Sequence, residues 1–238
     1  MIILSGKQFS KTPTSDTVCI MGSGWSINTI NKNEWDFIRS HDSFAYNWFC
    51  LGKTPITPTY YMVHVQGCDA ADKDTEYTPY TFIDKLRCSY VVLLKARRSS
   101  KPPKPFYFSE HLEIIQKGGV VFEYGNADTM SLLGSPFDKA YNPPPALGFV
   151  MHIALWLGYK NIVLFGVDLY DSRYYWHGYD ETWGLMKTHL DADNTTRFMH
   201  ADETISMFYG ITSLFPNRNI QVHNPKSLLT EMLPVWKL

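Results

Sequence analysis

Short apolar runs alternate with polar and glycine-containing segments along most of the chain. Runs this short, bounded by turn residues, predict buried strands. The predicted strands are Thr17–Met21, Ser43–Tyr46, Thr59–Val65, Ser89–Leu94, Gly119–Phe122, Asn161–Gly166 and Asn219–Val222. Two longer segments, Gly148–Tyr159 and Asp202–Leu214, are predicted to be helices, and the turn Gly22–Ser26 after the first strand predicts the start of another helix.

The order of these elements predicts the fold class. Strands that alternate with helices form a mostly parallel sheet covered on both faces, as in doubly wound, Rossmann-like α/β proteins. The 238 residues suit a single domain over 1–238. A segment at about 171–200 is rich in aromatic and acidic residues without clean periodicity, which predicts a lid. Ligands of such sheets bind outside the carboxyl ends of the strands, so the candidate site residues are those that follow strands.

Composition and charge narrow the partners and the compartment. The net charge is −1, which gives no electrostatic reason to expect nucleic acid as a partner. The four cysteines form no CxxC pair, so no cysteine-based zinc site is expected, and Cys19 in the first strand is predicted to be a buried thiol. The N-terminus lacks the pattern of a secretory signal, and no apolar run is long enough to span a membrane. These features predict a cytoplasmic protein.

A group of basic residues interrupted by prolines lies near the end of the fourth predicted strand. Its members are Lys95, Arg97, Arg98, Lys101 and Lys104. The prolines break any helix, so one interpretation is a solvated loop. The other is peripheral contact with an anionic acceptor or with the inner face of a membrane.

The turn Gly22-Ser23-Gly24 is the strongest local signal for a ligand. Glycines allow the backbone to approach a phosphate closely, and a following helix offers free N–H groups. The turn is neither GxGxxG, because Ile27 occupies the third glycine position, nor a Walker A loop. A tight strand-to-helix turn without a ligand is the alternative.

Three further strand ends carry polar side chains. Asn47 follows the second strand and can bind a ribose, a base or a phosphate, or else form a turn. His64 lies near the end of the third strand. Asp168 follows the buried strand before Tyr170, and its carboxylate could position a base, bind a metal, act as nucleophile or cap backbone amides.

Aromatic and histidine side chains supply the remaining candidates for chemistry. Tyr170 paired with Tyr174, Tyr175 or Trp176 of the predicted lid could supply donors for a leaving phosphate, although packing under a lid explains any one of them equally well. His200 directly precedes the last predicted helix, where the helix dipole favours the neutral imidazole of a general base. Capping of that helix is the alternative role. His152, on the apolar helix, is predicted to be a core histidine.

Taken in order, these segments resemble motifs of the bacterial lipooligosaccharide sialyltransferases. Gly22–Ile27 is similar to the GNGPSL-like turn of that family, and Tyr46–Phe49 is similar to its CNQF-like motif. Leu155–Tyr170 resembles the family's ALGYKEIYLSGIDFY-like helix and strand over its whole length. Asn224–Leu229 is similar to its CPNSLL-like turn, and His200 occupies the place of its catalytic histidine.

The resemblance implies an inverting, metal-independent glycosyltransferase that uses a CMP-sialic acid donor. On that basis His200 deprotonates the hydroxyl of a glycan acceptor, and Tyr170 with a lid aromatic binds the leaving phosphate. Asn47 and the Gly22–Ser26 turn, including Ser23 and Ser26, hold the cytidine nucleotide. No cofactor and no metal is implied. The acceptor would be a glycan, lipid-linked in lipopolysaccharide biosynthesis.

Several positions depart from the family pattern. Ser23 replaces an amide between the glycines, and His64 stands near the place of a second asparagine. Pro143–Gly148 replaces the Ser-Gly before the central helix, which leaves Gly148 as the candidate substrate contact there. These changes leave a different CMP-activated ulosonic acid open as the donor sugar.

Two other function classes fit parts of the pattern. A pterin pyrophosphokinase-like enzyme would need Mg²⁺ and clustered carboxylates, which Asp168, Asp171, Asp180 and Glu181 could supply. A nucleotide-binding module without catalysis is the third class. A metal requirement separates the first two classes, and turnover separates both from the third.

Overall fold

The centre of the protein is a parallel β-sheet. The computed structural model describes residues 13–65, 90–96, 120–124, 129–136, 141, 146–171, 173–176 and 201–238. The described part forms seven strands in the order β5-β4-β3-β2-β1-β6-β7, and every neighbouring pair is parallel. The strands are β1 Thr17–Met21, β2 Asp42–Tyr46, β3 Tyr60–Val65, β4 Tyr90–Ala96, β5 Val120–Tyr124, β6 Asn161–Phe165 and β7 Asn219–Val222.

Three α-helices flank the sheet in the described part of the chain: α1 Lys32–Ser40, α2 Leu147–Trp156 and α3 Ala201–Leu214. Short 3₁₀ helices occupy Trp25–Thr29, Asn47–Leu51, Thr129–Leu133 and Leu228–Glu231. Every residue of α2 from Leu147 to Leu155 is buried, because this helix is hydrophobic on nearly all sides. None of the described helices has the length and apolar character needed to cross a lipid bilayer.

Alternating side chains of β1 enter two separate hydrophobic clusters. Val18 and Ile20 pack with α2 and α3 residues such as Phe149 and Phe208. Cys19 and Met21 pack in the other cluster, which also holds Trp176. Successive side chains of a strand point to opposite faces, so both faces of the sheet are covered. The predicted doubly wound α/β fold is confirmed, and so is the buried Cys19 thiol, whose pKa is raised by burial and by Asp42.

The strand order reverses at β1. From β1 the chain adds β2, β3, β4 and β5 on one side, whereas β6 pairs with the other side of β1. The loops that follow β1 and β6 therefore leave the sheet side by side. In a doubly wound sheet this switch point opens a crevice at the carboxyl ends of the strands, which is where ligands bind.

The chain after the glycine turn differs from the sequence prediction. Instead of entering an α-helix, it forms the 3₁₀ helix Trp25–Thr29, and α1 begins only at Lys32. Asn31 sets that start, because its side chain accepts from the Glu34 N–H while Glu34 accepts from the Asn31 N–H. This reciprocal capping box fixes the first turn of α1 downstream of the predicted position.

Candidate functional site

The loops after β1 and β6 are joined by backbone hydrogen bonds. The N–H of Gly22 donates to the Phe165 carbonyl at 2.7 Å, and the N–H of Gly24 donates to the Gly166 carbonyl at 2.9 Å. A Cβ at Gly22 would lie only 2.4 Å from the Gly166 oxygen, which explains why glycine stands there. Gly166 itself has a φ of +65°, a region that glycine adopts without strain.

Asp168 is the centre of a buried hydrogen-bond network between these loops. One carboxylate oxygen accepts from the Ser26 N–H at 2.9 Å, and the other accepts from the Ser26 hydroxyl at 2.5 Å and from the Asn224 amide at 2.8 Å. The side chain is 3% exposed. Of the roles open to Asp168 from sequence, the contacts match the capping of a backbone amide.

The same contacts show which N–H groups of the Gly22–Ser26 turn, the predicted phosphate-binding turn, are already occupied. An anion at the start of a short helix is stabilised by its free N–H groups. Here the carboxylate of Asp168 takes the place of such an anion at the Ser26 N–H. The N–H groups of Gly22 and Gly24 are bound to the carbonyls of Phe165 and Gly166. The Ser23 carbonyl accepts from the N–H of Tyr175. The turn thus fixes the wall of the crevice through internal hydrogen bonds.

Gly24 is expected to be required for stability. A Cβ at this position would lie 2.6 Å from Asp168 Oδ2 and 2.7 Å from the Gly166 oxygen, and both belong to buried parts of the wall. Gly24→Ala should therefore lower the free energy of unfolding by about 1–3 kcal/mol, as overpacking typically does. Thermal denaturation measures the loss. Gly134→Ala is the matched control, because its Cβ would meet only the Ser131 oxygen at 3.7 Å. Equal melting temperatures for both variants would contradict the packing argument.

Tyr170 lies at the end of the β6 loop among hydrogen-bond donors. Its hydroxyl oxygen is 3.3 Å from the Asn224 amide nitrogen. Leu169, directly before it, has a φ of +65°. A non-glycine residue in this region carries strain that the surroundings must hold, and such residues concentrate at functional sites. The phenol of Tyr170 is half-buried.

Arg173, which the sequence analysis did not single out, places a guanidinium group near Tyr170. Its Nε and Nη2 atoms donate to both carboxylate oxygens of Asp171, at 2.6–3.0 Å. The guanidinium carbon lies 4.5 Å from the centre of the Trp25 ring, a cation–π distance. The Asp171 hydrogen bond, aided by the negative potential of Asp171 and Tyr170, raises the pKa of Arg173. Arg173 and Asp171 therefore form an ion pair beside the Trp25 ring.

Asn47 has an unusual backbone at the end of β2. Its φ is +47°, and its carbonyl accepts from the Tyr61 hydroxyl. The same hydroxyl accepts from the Cys50 N–H at 2.7 Å, so Tyr61 anchors the turn. The described residues contain just two non-glycine positions with positive φ, Asn47 and Leu169, and both follow strands at this edge of the sheet. Asn47 is itself a predicted site residue, and Leu169 directly precedes another, Tyr170.

The start of the predicted lid packs into the protein. Tyr174 forms an isolated bridge with Gly24 and stacks on Trp176 at 4.9 Å. The Tyr175 hydroxyl donates to the Phe49 carbonyl at 2.6 Å, and Tyr175 is 1% exposed. Trp176 is fully buried. The structure therefore shows Tyr175 and Trp176 as packing residues that tie the lid start to the β1 and β2 loops, and the rest of the predicted lid, 177–200, lies outside the described residues.

Three further residues singled out from sequence lie within helices and strands. Gly148 lies in the first turn of α2 and is buried. His64 is in β3 opposite Leu94 of β4. His152 is a satisfied core histidine, as predicted, since its Nδ1 accepts from the Tyr141 N–H and its Nε2 lies 3.1 Å from the Gly134 carbonyl. His200 lies outside the described residues, as do Arg97, Arg98, Lys101 and Lys104 of the basic group.

Carboxylates at the crevice have partners from the protein itself. Asp168 binds Ser26 and Asn224, and Asp171 binds Arg173. Within the described ranges, no three histidine, cysteine or acidic side chains are grouped as a metal site would require. Asp180 and Glu181, the other carboxylates considered from sequence, lie outside those ranges.

Comparison with solved structures identifies proteins of similar fold. No protein-family model matches the chain, and no curated protein matches it by sequence. Among solved structures, a variant of the sialyltransferase CST-II in complex with CMP matches with a TM-score of 0.54 and 15% identity, covering 92% of this chain and 86% of that one. The monofunctional α-2,3-sialyltransferase Cst-I from Campylobacter jejuni matches with a TM-score of 0.54 and 16% identity, covering 99% and 82%. The chain therefore shares the fold of these sialyltransferases over nearly its whole length.

Proposed function

We propose that the chain is a glycosyltransferase that moves a sialic acid or a related ulosonic acid from a CMP-sugar donor to a glycan acceptor. The observation that carries this proposal is the match of 92% of the chain to a sialyltransferase structure that contains CMP. Similarity at 15% identity concerns the fold, so the proposal also needs support from the site.

The chemistry of the switch-point crevice supports an anionic ligand. The Asn224 amide nitrogen lies 3.3 Å from the Tyr170 hydroxyl, which keeps its own proton to donate, and the Arg173 guanidinium, paired with Asp171, follows three residues later. Donors of this kind stabilise a phosphate without a metal ion. The strained backbone at Leu169 directly precedes Tyr170, and Asn47 follows β2, which is separated from β6 by β1.

The proposed reaction is a single displacement with inversion. His200 takes the proton of the acceptor hydroxyl while that oxygen bonds to the anomeric carbon of the donor sugar. The bond from the anomeric carbon to the phosphate oxygen breaks, and CMP leaves with the electron pair. The Tyr170 phenol donates to the phosphate oxygen that gains charge. A lipid-linked glycan of lipopolysaccharide biosynthesis is the proposed acceptor class.

Nucleotide binding tests the proposal directly. We expect CMP to raise the melting temperature more than UDP or ADP does, because a ligand that binds the native state stabilises it. A CMP concentration of about 100 times Kd should add about 2.7 kcal/mol to the free energy of unfolding. The shift should persist in EDTA. A shift produced by ADP or ATP only with Mg²⁺ would instead support the pyrophosphokinase-like function, and the absence of any CMP shift would contradict the proposal.

A further inference from the structure

The turn after β7 clamps the segment that carries Tyr170. The Ser227 hydroxyl donates to the Val167 carbonyl at 2.6 Å, and the Leu228 N–H donates to the Asp168 carbonyl at 3.3 Å. Both contacts lie just before Leu169, whose φ is +65°. The turn from Asn224 to Leu228 therefore holds the strained backbone that sets the position of Tyr170.

Within this turn, the hydrogen-bond partners fix the orientation of the Asn224 amide. Its oxygen accepts from the N–H of Lys226 at 3.0 Å, and its nitrogen donates to the Asp168 carboxylate at 2.8 Å. If the amide were rotated by 180°, its oxygen would lie against the Asp168 carboxylate and its NH₂ group against the Lys226 N–H. Asn224 is only 7% exposed, so water does not relieve that mismatch. One orientation alone satisfies the network.

The fixed amide determines which hydrogen-bond role is left to Tyr170. The Asn224 nitrogen that lies 3.3 Å from the phenol can only donate, so the phenol oxygen must accept. The phenol proton then points away from Asn224. With its oxygen occupied by the Asn224 amide, the hydroxyl offers its proton to an acceptor oxygen, which a phosphate supplies.

We propose that Asn224 is a positioning residue that fixes the Tyr170 hydroxyl as a hydrogen-bond donor to an oxyanion of the bound ligand. The inference deepens the proposed function and rests on it: the oxyanion is the phosphate of the CMP group. Without the Asn224 amide, the Tyr170 hydroxyl loses the donor that holds its oxygen in the acceptor role. Asn224 thus acts on the ligand through Tyr170.

A double-mutant cycle of Asn224→Ala and Tyr170→Phe tests the inference by calorimetry with CMP and with cytidine. Tyr170→Phe should weaken CMP binding about 10- to 100-fold, the range for a hydrogen bond to a charged group. Asn224→Ala should weaken it about 3- to 10-fold, as loss of an ordinary hydrogen bond does. In the Tyr170→Phe background, Asn224→Ala should have no further effect on CMP affinity. Cytidine, which has no phosphate, should bind all four proteins equally.

Ser227→Ala separates positioning from general loosening of the turn. Ser227 clamps the same segment through Val167 but does not contact Tyr170, so Ser227→Ala should lower the melting temperature and keep part of its effect on CMP affinity in the Tyr170→Phe background, whereas the effect of Asn224→Ala should vanish there. Additive effects of Asn224→Ala and Tyr170→Phe would overturn the inference, as would an Asn224→Ala protein with a lower melting temperature and unchanged CMP affinity. A wild-type chain that does not bind CMP would instead refute the proposed function, and this inference with it.

Discussion

Replacement of His200 by alanine is expected to leave the chain folded and able to bind CMP, and to slow sugar transfer about 10²–10⁴-fold, the usual contribution of a general base. Inverting transfer needs a base that removes the acceptor proton as the anomeric carbon is attacked. His200 directly precedes α3, which begins at Ala201, and it follows the predicted lid in sequence. Transfer rates with CMP-sialic acid, measured beside CMP affinity by calorimetry, give both quantities for the same variant.

Other histidines provide the comparison. His152 is bound to backbone groups of Tyr141 and Gly134 in the core, and burial lowers its pKa, so it is not a rival base. His64 lies near the end of β3, and His64→Ala is expected to weaken donor binding rather than the transfer step. Near wild-type transfer by His200→Ala would show that the base is a different group. A retaining mechanism with Asp168 as nucleophile would then be the leading alternative.

The strands could be predicted from sequence because burial on both faces leaves a clear local pattern. A central parallel strand such as β6, Asn161–Phe165, must be apolar along most of its length, and glycine or polar residues mark its ends. Predicted and observed strands agree to within one or two residues. A helix does begin after the glycine turn, but it is the short 3₁₀ helix Trp25–Thr29, and α1 begins only at Lys32, where the Asn31–Glu34 capping box fixes its first turn.

The candidate residues at the strand ends could be named from sequence, whereas their contacts could not. Strand ends can be located from local patterns, so Asp168 and Tyr170 could be singled out before any contact was known. The role of Asn224 could not, because it follows from the simultaneous positions of Asp168, Tyr170 and Lys226. Arg173 was missed for a similar reason, since only the fold brings it to Trp25. A local signal existed for Asn224, which follows the last predicted strand among turn-forming residues.

The second large effect is expected for Asp168→Asn, which should lower the melting temperature strongly. Asp168 is a pure acceptor for three donors, two from Ser26 and one from Asn224. An asparagine must turn its NH₂ group toward either the Ser26 N–H or the Asn224 NH₂, so donors face each other in a buried site. Each unsatisfied buried group costs about 1–3 kcal/mol. A loss of this size corresponds to about 2–12 °C, at about 2–4 °C per kcal/mol for a chain of this length.

Asp168→Asn also decides between the two roles of this carboxylate. A nucleophile replaced by its amide would abolish transfer while leaving the melting temperature nearly unchanged, whereas a network centre must lose stability. Ser26→Ala provides a graded variant, because it removes the hydroxyl donor and keeps the backbone N–H, so it should lower the melting temperature less than Asp168→Asn does. Asp16→Asn is the matched control, since Asp16 pairs with Lys160 on the surface, where such pairs contribute about 0–1 kcal/mol. Suppose instead that Asp168→Asn had the same melting temperature as the Asp16→Asn control and transferred no sugar. Asp168 would then be assigned to the chemistry, and His200 would no longer be needed as the base of a single displacement.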